Sequence, residues 1–174
     1  MYFCRIVESE VIETDLRDWE CPSEPVDLIL LFQVLYFFGD DERQELYQKM
    51  HDRWLTPGGY VAIVQASRTK SRGSVQGIME LLGSPTVAWE DIDADMQKAG
   101  FIRTYAFKLL MTKEFVNPDE SMLRFYQNHV EAPVTLEHIQ HTLKELFGEG
   151  KANDFNTIAT FKKQINSVNH SYCQ

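Results

Sequence analysis

The residues best placed to do chemistry in this sequence stand within one apolar run. Residues 26–38 (VDLILLFQVLYFF) are almost wholly apolar, and Gln33 lies inside the run with Tyr36 and Phe37 close behind it. An amide in apolar surroundings costs about 1 to 3 kcal/mol unless it finds a hydrogen-bond partner. Gln33 therefore either binds a ligand or bonds to neighbouring backbone. Tyr36 and Phe37 either present π faces to a cationic ligand or belong to the core.

Two further groups of residues carry polar side chains at strand ends. Asp15 and Leu16 follow residues 11–14, a short stretch whose composition predicts a β-strand. Asp15 either binds a ligand there or belongs to a solvated turn. Near the other end of the chain, Asn156 opens a predicted strand after Asp154, where it either contributes to a site or caps a turn.

The elements that must position these residues alternate between strand and helix. Residues 26–38 predict a strand buried on both faces, and from Asp40 the apolar residues recur at helical spacing. One face of that helix carries Leu46, Tyr47, Met50 and Trp54. Further strands are predicted at residues 60–65, 101–112 and 155–161, and further helices at residues 89–99, from Asn117 and from Thr135. This alternation predicts an α/β fold with a mostly parallel sheet. Ligands bind such sheets at the carboxyl ends of strands, here after Glu13, Leu31, Gln65 and Thr112.

The order of these features resembles one enzyme class. A carboxylate follows an early strand at Asp15, the next strand opens with Asp27, and a helix then leads into residues 55–59 (LTPGG) and another strand. Class I S-adenosylmethionine methyltransferases have an acidic residue after the third strand, a D-x-I/V-x strand, a helix and L-x-P-G-G before the fifth strand. The sequence therefore resembles that class over nearly its whole length and implies a Rossmann-like sheet.

Weaker matches point to a subfamily. A glutamine and an aromatic pair after the fourth strand, here Gln33 and Tyr36, look like those of the histamine N-methyltransferases. The dipeptide Asn156-Thr157 in the last strand is similar as well. By this resemblance the chain is an N-methyltransferase that acts on a small amine such as histamine.

The resemblance implies roles for individual residues. Asp15 would accept a hydrogen bond from the adenine amino group of S-adenosylmethionine, with Leu16 packing on the ring or donating its backbone N–H. Phe32 would lie beside the cofactor, or alternatively in the plain core. The implied substrate-binding residues are Gln33, Tyr36, Phe37 and Asn156. Methyl transfer is an in-line displacement that relies on positioning, and the resemblance implies no catalytic residue and no metal.

Two parts of the class pattern are missing from the sequence. The usual first strand with its G-x-G-x-G turn and the acidic residue that ends the second strand have no counterpart here. We therefore expect the carboxyl-terminal portion of such a sheet, truncated at the amino end, with an incomplete cofactor site. Whether this chain alone is active is left open by the sequence. Residues 1–162 would form the partial methyltransferase domain and residues 163–174 a polar tail.

Composition restricts the partners and the compartment. A net charge of -9 and the lack of a clustered basic patch argue against nucleic-acid and anionic-membrane partners. Three cysteines without metal-type spacing and no targeting segment predict free thiols and a cytoplasmic location. His138 and His141 lie three positions apart on a predicted helix, but no third ligand is suitably spaced, so we expect a solvated face.

Two other functions remain open. The chain is either an enzyme or a non-catalytic interaction module that keeps half of the methyltransferase fold. Without a first strand beside it, the strand at residues 26–31 would have an unpaired apolar edge, and self-association through that edge is then expected. A third, weaker alternative is a different Rossmann-like enzyme.

Overall fold

A computed structural model describes residues 12–20, 24–68, 75–83, 87–114, 120–130, 133–147 and 151–164. Its strands are β1 (Val26–Phe32), β2 (Leu55–Ala66), β3 (Phe101–Glu114) and β4 (Lys151–Lys163). They form one four-stranded sheet in the order β1-β2-β4-β3. Its α-helices are α1 (Asp40–Lys49), α2 (Val75–Leu81), α3 (Trp89–Lys98), α4 (Glu120–His129) and α5 (Leu136–Phe147). The fold is mixed α/β.

Strand β4 sets the direction of most pairings in the sheet. Strands β1 and β2 pair in parallel, whereas β4 pairs antiparallel with both β2 and β3. Strands β1, β2 and β3 thus run in the same direction, and β4 inserts between β2 and β3 in the opposite one. The predicted mostly parallel sheet is therefore wrong as to pairing. The reason is that β4 begins beside Glu114, the last residue of β3, so the chain re-enters the sheet at the end where it left.

Strand β1 is shorter and less buried than its composition predicts. It ends at Phe32, Gln33 has a φ of 53°, and a 3-10 turn covers Leu35–Phe37. Leu28, Leu30 and Phe32 are 52%, 55% and 57% exposed, whereas Leu31 is 5% exposed. A strand buried on both faces is therefore wrong for this segment, because Leu31 faces the core whereas Leu28, Leu30 and Phe32 lie on the opposite face and are exposed.

The main core lies between the covered face of the sheet and helices α1 and α3. The predicted apolar face of α1 and the turn after it is buried, as are Ile92 and Met96 of α3. Trp89 packs on Phe161 with ring centroids 5.7 Å apart, and this contact anchors the start of α3 on the sheet. The packed side chains of this core include Leu31, Leu46, Tyr47, Met50, Trp54, Val61, Ile63, Ile92, Met96, Ala159 and Phe161.

A second, smaller core joins helices α2, α4 and α5. Ile78, Tyr126, Ile139 and Leu143 are buried in it. Thr135 caps α5 as predicted, since its Oγ1 accepts a hydrogen bond from the backbone N–H of His138 at 3.2 Å. Helix α2 was not predicted. Among the residues that the structure describes, no helix combines the length and hydrophobicity needed to cross a bilayer.

The predicted strand at residues 11–14 is wrong. Residues 12–14 are not in a strand, and residue 11 lies outside the described residues. Asp15 instead begins a turn in which its carbonyl oxygen accepts from the backbone N–H groups of Asp18 and Trp19, both at 3.1 Å. Of the predicted tail at residues 163–174, the structure describes only residues 163 and 164.

Candidate functional site

Four strand ends meet at one edge of the sheet. Because β4 runs against the other strands, its amino end lies beside the carboxyl ends of β2 and β3, with Asn156 paired to both Ala66 and Leu109. Gln33 follows β1 at the same edge and donates its backbone N–H to Val64 O at 2.9 Å. The positions after Leu31, Gln65 and Thr112 are therefore close in the fold, as predicted. The position after Glu13 does not end a strand.

Gln33 and Asn156 are in direct contact at this edge. Gln33 Nε2 donates a hydrogen bond to Asn156 Oδ1 at 2.8 Å. The alternative that Gln33 satisfies its amide on neighbouring backbone is wrong for this donor, since the partner is a side chain. The positive φ at Gln33 turns the chain out of β1 at this point. Two amides that were predicted separately thus form one polar group.

Asn156 is a buried strand residue. Its Nδ2 donates to Met111 Sδ at 2.6 Å, and its backbone lies in β4 between β2 and β3. The alternative that Asn156 only caps a turn is therefore wrong. A buried amide inside a sheet is retained only where its hydrogen bonds are met, which makes this side chain a strong candidate for a site.

Tyr36 and Phe37 stack against each other just beyond β1. Their ring centroids are 4.4 Å apart at 45°. Phe37 is exposed and Tyr36 is half-buried. Burial raises the pKa of Tyr36 further above its ordinary value near 10, and the phenol is neutral at physiological pH. The pair therefore offers an aromatic surface at the same edge, and Phe37 in particular is not a core residue.

Asp15 is tied to the end of β1 through Arg17. Asp15 Oδ1 accepts from the Arg17 backbone N–H at 2.9 Å, and Asp15 Oδ2 accepts from the Arg17 guanidinium at 2.8 Å. The same guanidinium donates to Phe37 O at 2.9 Å. Asp15 thus lies in a turn, which was the alternative to a ligand-binding role. Arg17 holds this turn against the aromatic pair. Each carboxylate oxygen keeps a second lone pair for another donor.

Leu16 and Phe32 are placed less favourably for a cofactor. Leu16 lines a cavity of about 110 Å³ against α1, which is small beside the roughly 300–1,000 Å³ of ligand pockets. Phe32 lies on the open face of the sheet, so its assignment to the plain core is wrong. Among the residues that the structure describes, no hydrogen bond or ion pair links Asp15 or Leu16 with Gln33 or Asn156.

Polar residues that were not predicted surround this edge. Ser67 Oγ and Thr157 Oγ1 share a buried hydrogen bond at 2.6 Å, and Gln65 Nε2 donates to Val87 O at 3.0 Å. Asp154 is buried two positions before Asn156 on β4. Alternation along a strand was the signal that should have linked Asp154 to Asn156. Met111 carried no comparable signal.

The described part of the chain contains no group of three or more His, Cys, Asp or Glu side chains placed to hold a metal ion. His138 and His141 are exposed on α5, which confirms the solvated face.

Comparison with known proteins identifies the fold. No protein-family model matches the chain, and no curated protein matches it in sequence. The N-methyltransferase NodS from Bradyrhizobium japonicum WM9, solved with S-adenosyl-L-homocysteine, is 14% identical with a TM-score of 0.50, over 88% of this chain and 54% of NodS. A candidate methyltransferase from Bacillus halodurans C-125 is 12% identical with a TM-score of 0.61, over 90% of this chain and 78% of that one.

A third solved structure agrees with these two. A candidate sarcosine dimethylglycine methyltransferase from Galdieria sulphuraria is 15% identical with a TM-score of 0.50, over 87% of this chain and 58% of that one. The chain spans about half the length of NodS. The described sheet and its helices have the Rossmann-like fold of the class I methyltransferases.

Proposed function

We propose that this chain belongs to an S-adenosylmethionine-dependent N-methyltransferase of the histamine N-methyltransferase type, which methylates a small amine. The observation that carries the proposal is the contact of Gln33 with Asn156 at the carboxyl edge of the sheet. Two amides joined in this way can offer both donors and acceptors to one ligand. An imidazole or an amine needs such a mixed partner.

The aromatic pair supports a cationic ligand. Tyr36 and Phe37 lie just after β1, at the strand end that carries Gln33. The faces of such rings attract a sulfonium or ammonium group by about 0.5 to 2 kcal/mol, depending on desolvation. A neutral Tyr36 keeps this face available without adding a charge.

The residues around Asp15 fit the adenine end of the cofactor. A carboxylate with free lone pairs suits the adenine amino group. When bound, S-adenosylmethionine supplies the methyl group on its sulfonium. The protein's part is then to orient the amine in line with that methyl group and to exclude water.

We further propose that the cofactor site is incomplete in the described residues. In this proposal Asp15 binds the adenine amino group, and the described residues hold no G-x-G-x-G turn for the methionine end. The chain alone should therefore bind S-adenosylhomocysteine much more weakly than NodS does.

Calorimetry and a methylation assay test this function. The full chain is titrated with S-adenosylhomocysteine and assayed for transfer of a labelled methyl group to histamine. We expect weak but saturable binding that Asp15→Asn reduces, while Asp52→Asn, a change in the turn that follows α1, leaves it unaltered. Tight binding would contradict the incomplete site, and binding that ignores Asp15→Asn would contradict the adenine assignment.

A second candidate function is a non-catalytic interaction module that self-associates, and the open sheet face favours it. That face carries the exposed side chains Leu28, Leu30, Phe32, Tyr60, Ile102, Tyr105, Phe107 and Leu109. Contiguous apolar patches of this kind mark interaction surfaces. Strand β1 also lies at the end of the described sheet.

Sedimentation velocity over a range of concentrations tests the module. We expect the chain to self-associate, and Leu30→Thr to shift it toward monomer without loss of stability. The matched change Leu31→Thr faces the core and should lower the free energy of unfolding instead. A chain that stays monomeric at every concentration would rule this function out.

A further inference from the structure

Met111 fills the space beside Asn156 in which a ligand atom would bind. Its Sδ accepts the hydrogen bond of Asn156 Nδ2 at 2.6 Å, so no other atom fits between them in this rotamer. Asn156 is 5% exposed and Met111 is 39% exposed. The thioether is a weak acceptor, and a ligand nitrogen or oxygen would be a stronger one. An unbranched side chain with three rotatable bonds can turn out into solvent to admit it.

Asp154 lies next to Asn156 on the same face of β4. Alternate residues of a strand share a face, and the register pairs Met111 with Asp154 across β3 and β4. Met111 is therefore the cross-strand neighbour of Asp154 and a diagonal neighbour of Asn156 on one face of the sheet. Asp154 is 1% exposed, and a carboxylate is a favourable partner for a cationic ligand group. Burial first, and then the charge of the Asp154 carboxylate, raise the pKa of the Tyr126 hydroxyl.

We propose that Met111 is a movable cover over a site for a small cation that also carries a hydrogen-bond acceptor. Displacement of its side chain lets Asn156 donate to the acceptor and Asp154 bind the cationic group. The inference rests on the proposed amine site at Gln33 and Asn156, and it deepens that function by naming the groups that select the ligand. Met111 and Asp154 act here as specificity-determining residues.

Methionine methyl NMR tests the cover directly. The full chain, labelled with ¹³C at its methionine methyl groups, is titrated with histamine, which carries both an ammonium group and an imidazole. We expect the Met111 resonance to move to saturation while that of Met96, buried in the main core, stays fixed. A saturable titration in which Met111 does not move, or the absence of any saturable shift, would overturn the proposal.

Three variants separate the roles. Met111→Ala should bind histamine about three- to tenfold more tightly, because the site no longer has to be uncovered. Asp154→Asn should weaken histamine binding by about tenfold or more, since the cation loses its counter-charge, and leave binding of imidazole alone within about twofold. Asn156→Ala should weaken both. Weaker binding by Met111→Ala, or equal losses of histamine and imidazole in Asp154→Asn, would contradict the assignment.

The controls distinguish effects on histamine binding from effects on folding and on methyl transfer. Met122→Ala, a methionine change in α4, should leave histamine affinity unchanged. Thermal unfolding identifies any variant that does not fold. If Asp154→Asn or Asn156→Ala does not fold, the wild-type titration and the affinity of Met111→Ala test the proposal. None of these measurements uses S-adenosylmethionine. A chain that binds histamine under Met111 but transfers no methyl group would therefore contradict only the proposed enzyme activity.

Discussion

Gln33 Nε2 donates a hydrogen bond to Asn156 Oδ1 at 2.8 Å, joining two side chains that are 123 positions apart in the chain. Asn156 also holds Met111, so the three residues form a small network between β1, β4 and β3. Loss of one amide leaves a partly buried partner unsatisfied. The contact should therefore contribute to stability as well as to binding.

Gln33→Ala and Asn156→Ala should each lower the free energy of unfolding by about 1 to 3 kcal/mol. Their double variant should reveal a coupling of about 0.5 to 3 kcal/mol, as expected for residues in one network. Chemical denaturation measures all three. Gln48→Ala, which removes an exposed hydrogen bond to Asp52, serves as control and should change stability by less than about 0.5 kcal/mol. Strictly additive losses would argue against the contact.

Arg17→Ala should weaken binding of S-adenosylhomocysteine by about tenfold, equivalent to about 1.4 kcal/mol. The guanidinium holds Asp15 against Phe37 O, and without it the turn loses its fixed position. Arg53→Ala removes a more exposed arginine, 62% against 44% for Arg17, and should have no effect. Calorimetric titration compares the two variants. Equal affinities for both would indicate that the Asp15 turn takes no part in the site.

Gly100→Ala should be more destabilising than Gly83→Ala. Both glycines have positive φ, 88° and 78°, which strains any residue with a Cβ by about 1 to 2 kcal/mol. Only at Gly100 would the new Cβ also lie 3.1 Å from a neighbouring side-chain atom, His51 Nε2. Thermal unfolding of both variants gives the difference directly. A larger loss for Gly83→Ala would show that the His51 contact is not restrictive.

Tyr47→Phe should leave stability unchanged or raise it by about 1 kcal/mol at pH 7. The Tyr47 hydroxyl is buried without a hydrogen-bond partner among the described residues, and removal of such a group is often neutral or stabilising. Burial also raises the Tyr47 pKa above its ordinary value near 10. Below pH about 10 the Tyr47 hydroxyl is protonated in both states and adds no pH dependence to the free energy of unfolding. Above that pH the unfolded chain releases this proton first, so the free energy of unfolding falls as the pH rises. Denaturation at pH 7 and pH 10.5 should show a smaller alkaline loss for Tyr47→Phe than for the wild type.

Local patterns predicted the elements that are held by one amphipathic face. The helical spacing of Leu46, Tyr47, Met50 and Trp54 predicted α1 correctly because one continuous core covers that face. Thr135 marked the start of α5 because its side chain caps the helix, an interaction between residues close in sequence. Interactions between residues that are close in sequence can be predicted from the sequence alone.

Features that depend on distant segments were not predictable in the same way. The apolar residues of β1 are consistent with burial on both faces, and nothing within the strand indicates that Leu28 and Leu30 are exposed. The direction of β4 depends on where the chain re-enters the sheet. Of the site, Gln33 and Asn156 were found separately by residue type, but the choice of Met111 as partner depends on the register of β3 and β4.

The central position of β4 has a consequence for how the protein is made. It is the last of the described strands in the chain, yet it pairs with both β2 and β3. During synthesis on the ribosome, β3 therefore emerges before β4. It cannot pair in the sheet until residues 151–163 have been made. Most of the hydrogen-bonded ladder then forms in one late, long-range step, and pairings of this kind are slow and expose the nascent chain to aggregation.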